Sequence, residues 1–227
     1  MQAHTITDTQ KKGKSGNIGT LQLFTKYDPA FDNETLTGNF VKEVPYSKAI
    51  GYAGFTKKKH LHDNLTYNIP DFENANTQHQ AFSISEPELL RTIEGALCLC
   101  HKNVSTLPTN IFLFPTFSTF VKDKMGGVSG YTPYKNTLLL YVSPQETKRW
   151  KEALTETICH EFMHTVMDNY YERKNLLDDL VFEGAAESFV SFLFGAKAHM
   201  PSQALTLKET IEWYQKLKKR FRNTKLY

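Results

Sequence analysis

The residues His160-Glu161-Phe162-Met163-His164 constrain this chain more than any others. They read H-E-x-x-H. On an α-helix, residues four apart lie on one face, so both imidazoles point the same way and can share one ion. Glu161 follows the first histidine and comes to lie beside that ion, where its carboxylate can take a proton from a water molecule. Two nitrogen ligands, an open coordination position and a carboxylate base are the ingredients of a hydrolytic metal centre. Any fold that uses the motif must bury one face of the helix and offer the other to a cleft.

The surrounding sequence supplies such a helix. Ser143-Pro144-Gln145-Glu146 reads as a capping box with Pro at the first helical position. Trp150, Leu154, Ile158, Phe162 and Val166 follow at i+4 spacing and make a core-facing stripe. His160, Glu161, His164 and Asp168 fall largely on the opposite side. The bland reading is a pair of surface histidines on an ordinary helix. A polar face made of potential ligands and bases argues against it.

A catalytic zinc takes three protein ligands and keeps one position open. The third ligand is available in Leu180-Val181-Phe182-Glu183-Gly184-Ala185-Ala186-Glu187-Ser188-Phe189. Glu183 stands there among apolar and small residues that suit close helix packing. A carboxylate embedded in that setting needs a partner, because an unpaired buried charge is costly. A metal ion is a natural one. Glu187, one turn later on the same face, is placed to accept a hydrogen bond from the ring N–H of a ligand histidine.

Residues 165 to 182 separate His164 from Glu183, giving H-E-x-x-H, eighteen residues, then E. This spacing resembles the gluzincin zinc peptidases in the aminopeptidase N-like arrangement, whose third ligand sits in an N-E-G-x-A-x-Y segment. Glu183-Gly184-Ala185-Ala186 matches E-G-x-A, with Phe182 in place of the Asn and Ser188 in place of the Tyr. The E-G-x-A-E form is more similar still to a family of small bacterial proteins described as predicted Zn-dependent proteases. So are the Ile111-Phe112-Leu113-Phe114-Pro115 strand and the Gly-rich stretch before the helix. The resemblance covers about residues 108 to 195. It implies His160, His164 and Glu183 as zinc ligands and Glu161 as the general base. It also implies an α+β, zincin-like fold: a small mixed sheet, an active-site helix and a mainly helical C-terminal part. The aminopeptidases carry a G-x-M-E-N segment that binds a free amino terminus, and it has no counterpart here. An endopeptidase acting on peptides or proteins is therefore expected over an aminopeptidase. Zinc peptidases also place a Tyr or His donor near the developing oxyanion. Tyr131, Tyr134, Tyr214 and Tyr227 all remain open for that role.

Length and charge narrow the rest. With 227 residues, 40% of them hydrophobic, the chain suits one globular domain over residues 21 to 227 behind a disordered tail of residues 1 to 20. Within it, residues 21 to 107 are poorly defined and 108 to 195 form the catalytic core. A net charge of +3 gives no electrostatic case for nucleic acid or an anionic membrane. No apolar run approaches the length of a membrane span. Met1 to Thr20 lacks the apolar core of a secretory signal, so export is not indicated. The odd count of three cysteines makes no disulfide framework, and a reducing cytoplasm is the simpler expectation. Nothing in the sequence fixes an oligomeric state.

Along the chain, Leu21 to Tyr27 alternates as a half-buried strand would. Phe40 to Phe55 reads as short helix or loop. Lys57-Lys58-Lys59-His60-Leu61-His62 is a solvated basic loop, since histidines at i and i+2 share no helix face. Residues 63 to 80 read as a long surface loop. Ser85 to His101 is a helix with Ser85 and Glu88 as a capping box and Leu89, Leu90, Ile93, Leu97 and Cys100 as its buried stripe. Cys98 and Cys100 are read as small buried hydrophobes. Asn110 to Phe114 is a strand, Phe117 to Lys124 a short helix, and Gly126 to Tyr131 a flexible stretch. Thr137 to Val142 is a further strand. Leu138 to Val142, or a neighbouring strand with Gly127 to Tyr131 as the loop, is expected to form the sheet edge with which extended substrates pair. Asn169 to Asn175 is a polar turn, Leu176 to Phe194 a helix capped by Gly195, and Leu205 to Arg222 a last amphipathic helix.

Two other readings compete with a zinc peptidase. One is a zincin-fold protein that binds metal or a peptide without cutting it and serves a regulatory role. Glu161 argues against it, because a structural site needs no base. The other is a chance motif in a metal-free helical protein, which the matched third carboxylate disfavours.

Overall fold

A computed structural model of the chain describes residues 4–7, 18–23, 83–105, 109–116, 118–134, 136–168, 170–195, 198, 205–218 and 221. The elements follow in the order β1 (His4–Thr7), β2 (Ile18–Leu23), α1 (Glu86–Asn103), β3 (Thr109–Pro115), α2 (Thr119–Lys124), β4 (Val128–Tyr134), β5 (Thr137–Val142), α3 (Trp150–Met167), α4 (Leu176–Phe194) and α5 (Leu207–Leu217). The fold is α+β, with a five-stranded mixed sheet in the order β1-β2-β3-β5-β4. Strands β2, β3 and β5 run parallel, while β1 and β4 join antiparallel at the two ends.

The sheet follows from the strands' own chemistry. Strand β5 reads Thr-Leu-Leu-Leu-Tyr-Val and is buried along its whole length, as a continuous apolar run in a central strand must be. Strand β4 follows a turn in which Gly126 and Gly127 adopt φ of 70° and 89°, where a side chain would be strained. It then turns back along β5 through a tight connection with Asn136 at φ 54°, a conformation asparagine tolerates.

Helix α3 lies against β4 and β5 and between α1 and α4. Its expected stripe is buried: Trp150, Leu154, Ile158, Phe162 and Val166 all enter the core. They meet Leu89, Ile93 and Leu97 of α1, Ile111 and Leu113 of β3, Leu138, Leu140 and Val142 of β5, and Phe189 and Val190 of α4. Cys100 and Cys159 pack between α1 and α3 with their sulfurs 3.4 Å apart, and all three cysteines are free thiols. Cys98 is only half-buried.

Several expectations are revised. Residues 1 to 20, expected as a disordered tail, contain β1 and the start of β2. The β-branched residues of His-Thr-Ile-Thr and Ile-Gly-Thr-Leu suit that pairing. Of the expected strand over Leu21 to Tyr27, only the portion up to Leu23 lies among the described residues. The readings of Phe40 to Phe55, Lys57 to His62 and residues 63 to 80 lie outside the described residues. Ser143-Pro144-Gln145-Glu146 does not cap α3, which begins at Trp150. Instead Ser143 is buried and its hydroxyl accepts from the Gln145 N–H, while Glu146 accepts from Trp150 Nε1 at 3.0 Å. Ser85 precedes α1 but donates to the Glu88 carboxylate (3.0 Å) rather than accepting from the backbone. The sheet edge beside α3 is β4, not β5, and Val128 to Tyr131 is strand rather than flexible loop. The last helix is shorter than expected, ending at Leu217. Among the described residues no helix is long and apolar enough to cross a membrane.

Candidate metal centre

The chain brings its candidate ligands together from two helices. His160 and His164 lie one turn apart on α3, with ring centroids 4.6 Å apart. Helix α4 returns alongside α3 because residues 170 to 175 form a compact turn. Asn175 caps α4 by accepting from the N–H groups of Leu177 and Asp178, and Asp178 accepts from Tyr171 Oη (2.8 Å) and Lys174 N (2.8 Å). That return carries Glu183 to the two histidines. One oxygen, Oε2, stands 3.3 Å from His160 Nε2 and 3.4 Å from His164 Nε2. One donor atom from each residue falls within 4.8 Å of the other two, so the three can hold a metal ion. Ligands about 2.0–2.1 Å from a common tetrahedral zinc stand about 3.3–3.4 Å from each other. The oxygen-to-nitrogen separations here match that edge length.

The surroundings support each ligand differently. Glu187 Oε1 lies 3.4 Å from His160 Nδ1, on the side of the ring away from Glu183. This is where an orienting carboxylate is needed if Nε2 is to face a metal. His164 is buried and stacks on Phe182, with ring planes 3° apart and centroids at 4.3 Å. The Arg173 guanidinium lies 4.2 Å from the centroid of the same Phe182 ring. Glu183 itself is not embedded: its side chain is 56% exposed, and Phe182 is the residue that enters the packed interior. The expectation of a buried carboxylate therefore fails. The apolar residues around Glu183 in sequence point to other faces of α4.

Electrostatics follow the same geometry. The His160 and His164 nitrogens beside Glu183 hold its carboxyl far below the ordinary range. Burial opposes a charge on His160, but Glu183, Glu161 and Glu187 together outweigh it and raise its pKa. Glu161 is almost wholly buried, and burial pushes its pKa up, against the pull of His164, His160 and the Thr132 hydroxyl. A raised carboxylate suits a group that must accept and later release a proton.

Two residues that the sequence reading missed complete the site. Thr132 on β4 donates to Glu161 Oε2 (2.8 Å), and its hydroxyl also lies 3.1 Å from the Glu161 carbonyl. Gly130, two residues earlier on the same face, lets β4 lie directly on α3. A Cβ there would stand 2.5 Å from Glu161 Cγ and 2.7 Å from Thr157 Cγ2. The available signal was Pro133, which within a strand-like stretch marks an edge strand. The alternation that turns Gly130 and Thr132 toward α3 turns Tyr131 to the opposite face, near Tyr141. Tyr214 lies exposed on α5, packed against Phe221 at 5.2 Å. The Tyr134 side chain and Tyr227 lie outside the described residues. Asp168, expected on the ligand face, closes α3 as its C-terminal cap.

No curated protein and no solved structure matches the chain. A protein-family comparison does, over residues 90 to 226. That span includes both histidines, both glutamates of α4 and the β4 strand that covers Glu161. The chain belongs to the family described as predicted Zn-dependent protease (DUF2268).

Proposed function

We propose that this protein is a zinc-dependent peptidase with a zincin-like catalytic core, acting on internal bonds of peptides or proteins. The observation that carries this reading is the convergence of His160 Nε2, His164 Nε2 and Glu183 Oε2 at tetrahedral-edge distances, beside a carboxylate gripped by a neighbouring strand. His160, His164 and Glu183 would hold the zinc, which would supply polarisation of a carbonyl and acidification of water. The remaining work belongs to the chain. Glu161 accepts a proton from the attacking water and passes it to the leaving amine. Thr132 fixes one oxygen of Glu161 and so leaves the other for that exchange. Glu187 holds the His160 ring with its Nε2 inward. The outer edge of β4 pairs with no other strand among the described residues. An extended peptide adding to that edge would run past Glu161 with its carbonyls fixed by main-chain hydrogen bonds.

Metal content by elemental analysis tests the reading first. About one zinc per chain is expected, and loss of it in His164→Ala. Glu161→Gln should retain the zinc and lower peptide cleavage by about a thousandfold or more. A protein that takes up no zinc on reconstitution removes the reading. A protein that binds zinc and cuts no peptide becomes the non-cutting, metal- or peptide-binding alternative.

A further inference from the structure

A cavity of about 330 Å³ opens from Glu161 and His160 and runs back along α3 toward its first turn. Glu187 and Thr157 line the metal end of it. Met125, Val128 and Ala153 form apolar walls, Glu156 lies one turn before His160, and Lys124 and Arg149 lie at the far end, where the Arg149 side chain reaches back to Glu156. From His160 to Arg149 is roughly 16 Å of helix axis. A peptide lying along β4 advances about 3.3 Å per residue. A substrate side chain within about four residues of the cut bond therefore reaches the far end of the cavity, once the Arg149 and Lys124 side chains extend toward it.

The charges at that end are unequal. Glu156 is almost buried and faces Arg149 at 3.7 Å, too far for a hydrogen bond. The two form an ion pair without a hydrogen bond, so Glu156 offsets the charge of Arg149. Lys124 is exposed and has no ion pair or hydrogen bond among the described residues. Two cations against one carboxylate leave a net positive end on an apolar-walled pocket. At the other end, Glu161 and Glu187 are engaged by Thr132 and His160. The geometry points to a subsite that binds a carboxylate of the substrate: either a glutamate side chain, whose methylenes suit the apolar walls, or the free carboxyl terminus of a short peptide. For the nature of its ligand the inference rests on the peptidase reading.

Binding without turnover tests it. Zinc-loaded Glu161→Gln protein is titrated by calorimetry with blocked alanine-glycine hexapeptides carrying Glu, Gln or Lys at each position in turn. The same peptides are titrated with a free or an amidated carboxyl terminus. At one position Glu should bind about tenfold tighter than Gln, with Lys weakest, or the free acid should bind about tenfold tighter than the amide. The first result assigns the side chain and the second the chain end. Adding Lys124→Ala and Arg149→Gln should cut the preference below about threefold. Lys124→Glu alone, on an exposed position that leaves the Arg149–Glu156 pair intact, should cut it by a similar amount. Equal affinity for Glu and Lys peptides, no peptide binding at all, or a preference that survives both charge changes would overturn the subsite. An acid preference in a protein whose wild type cuts nothing would keep the subsite and remove the peptidase reading. Cleavage with no acid preference would do the reverse.

Discussion

Strands β4 and β5 are partners in one hairpin, yet they serve different ends. Every residue of β5 is buried, and Leu138, Leu140 and Val142 enter the core beneath α3. Strand β4 is only half-buried from Ser129 to Thr132, carries Gly130, Thr132 and Pro133, and spends its inner face on Glu161. The same division runs through α3. Its apolar stripe meets β5 and α1, and its polar residues meet β4 and α4. Stability and chemistry are thus separated by one residue's width of sheet. Substitutions on the two strands should report different quantities.

The largest effect tests the packing side. Leu140→Ala leaves a void in a fully buried position and is expected to cost about 2–5 kcal/mol in denaturant unfolding. Activity per folded molecule should stay close to wild type. A large loss of that activity would mean the two strands are not separable. Next, Gly130→Ala forces a methyl into Glu161 and Thr157. Activity should fall by about a hundredfold, at a stability cost of about 1–3 kcal/mol. Near-normal kinetics would show that β4 does not seat the base. A smaller effect is expected from Thr132→Val, which keeps shape and removes the hydroxyl: about tenfold in kcat, with zinc content and KM little changed. Thr132→Ser should restore most of it, and failure to do so would assign the loss to packing rather than to the hydrogen bond.

The smallest effect concerns pH. In the metal-free protein, burial works against the His160 charge but the three carboxylates prevail and raise its pKa. A raised folded-state pKa means the charged ring's contribution is complete below about pH 6.5 and is lost as pH rises through the folded value. Zinc needs the unprotonated nitrogen, so its stabilisation grows over the same range. The gap between melting temperatures with and without saturating zinc should widen by a few degrees from about pH 6 to 8. A gap independent of pH would mean that no titrating histidine gives up a proton to the ion, and no gap at all would leave the polar side of α3 as a cluster of acids and histidines that holds none.

What the sequence made legible follows the same division. The stripes of α1 and α3, the apolar run of β5 and the Gly195 stop of α4 are repeating or punctuating signals, and the structure carries them. His160, His164 and Glu183 could be paired because helical spacing and one downstream carboxylate suffice to suggest a ligand set. Strand β4 was hard to read because Gly130 and Pro133 are turn formers in isolation, although a Pro inside a strand also marks an edge. Only contact with α3 explains why the strand needs a residue with no side chain. Ser143-Pro144 misled in the opposite way. The pair has the composition of a helix start, but a buried hydroxyl and a 3.4 Å bond from Trp150 N to Thr147 O define the real first turn.

The stacked arrangement of Arg173, Phe182 and His164 has a consequence for how firmly each imidazole is held. His160 is steered by the Glu187 carboxylate, and the ring of His164 by flat contact with Phe182. Nδ1 of each ring is buried and makes no hydrogen bond among the described residues, but His160 Nδ1 has the Glu187 carboxylate facing it at 3.4 Å. Both rings face Glu183, but the second restraint on His160 is charge, which dissolved ions weaken, and that on His164 is close contact, which they leave alone. In concentrated salt the pair should lose its grip unevenly, with His160 freed to turn while His164 stays clamped between aromatic ring and helix.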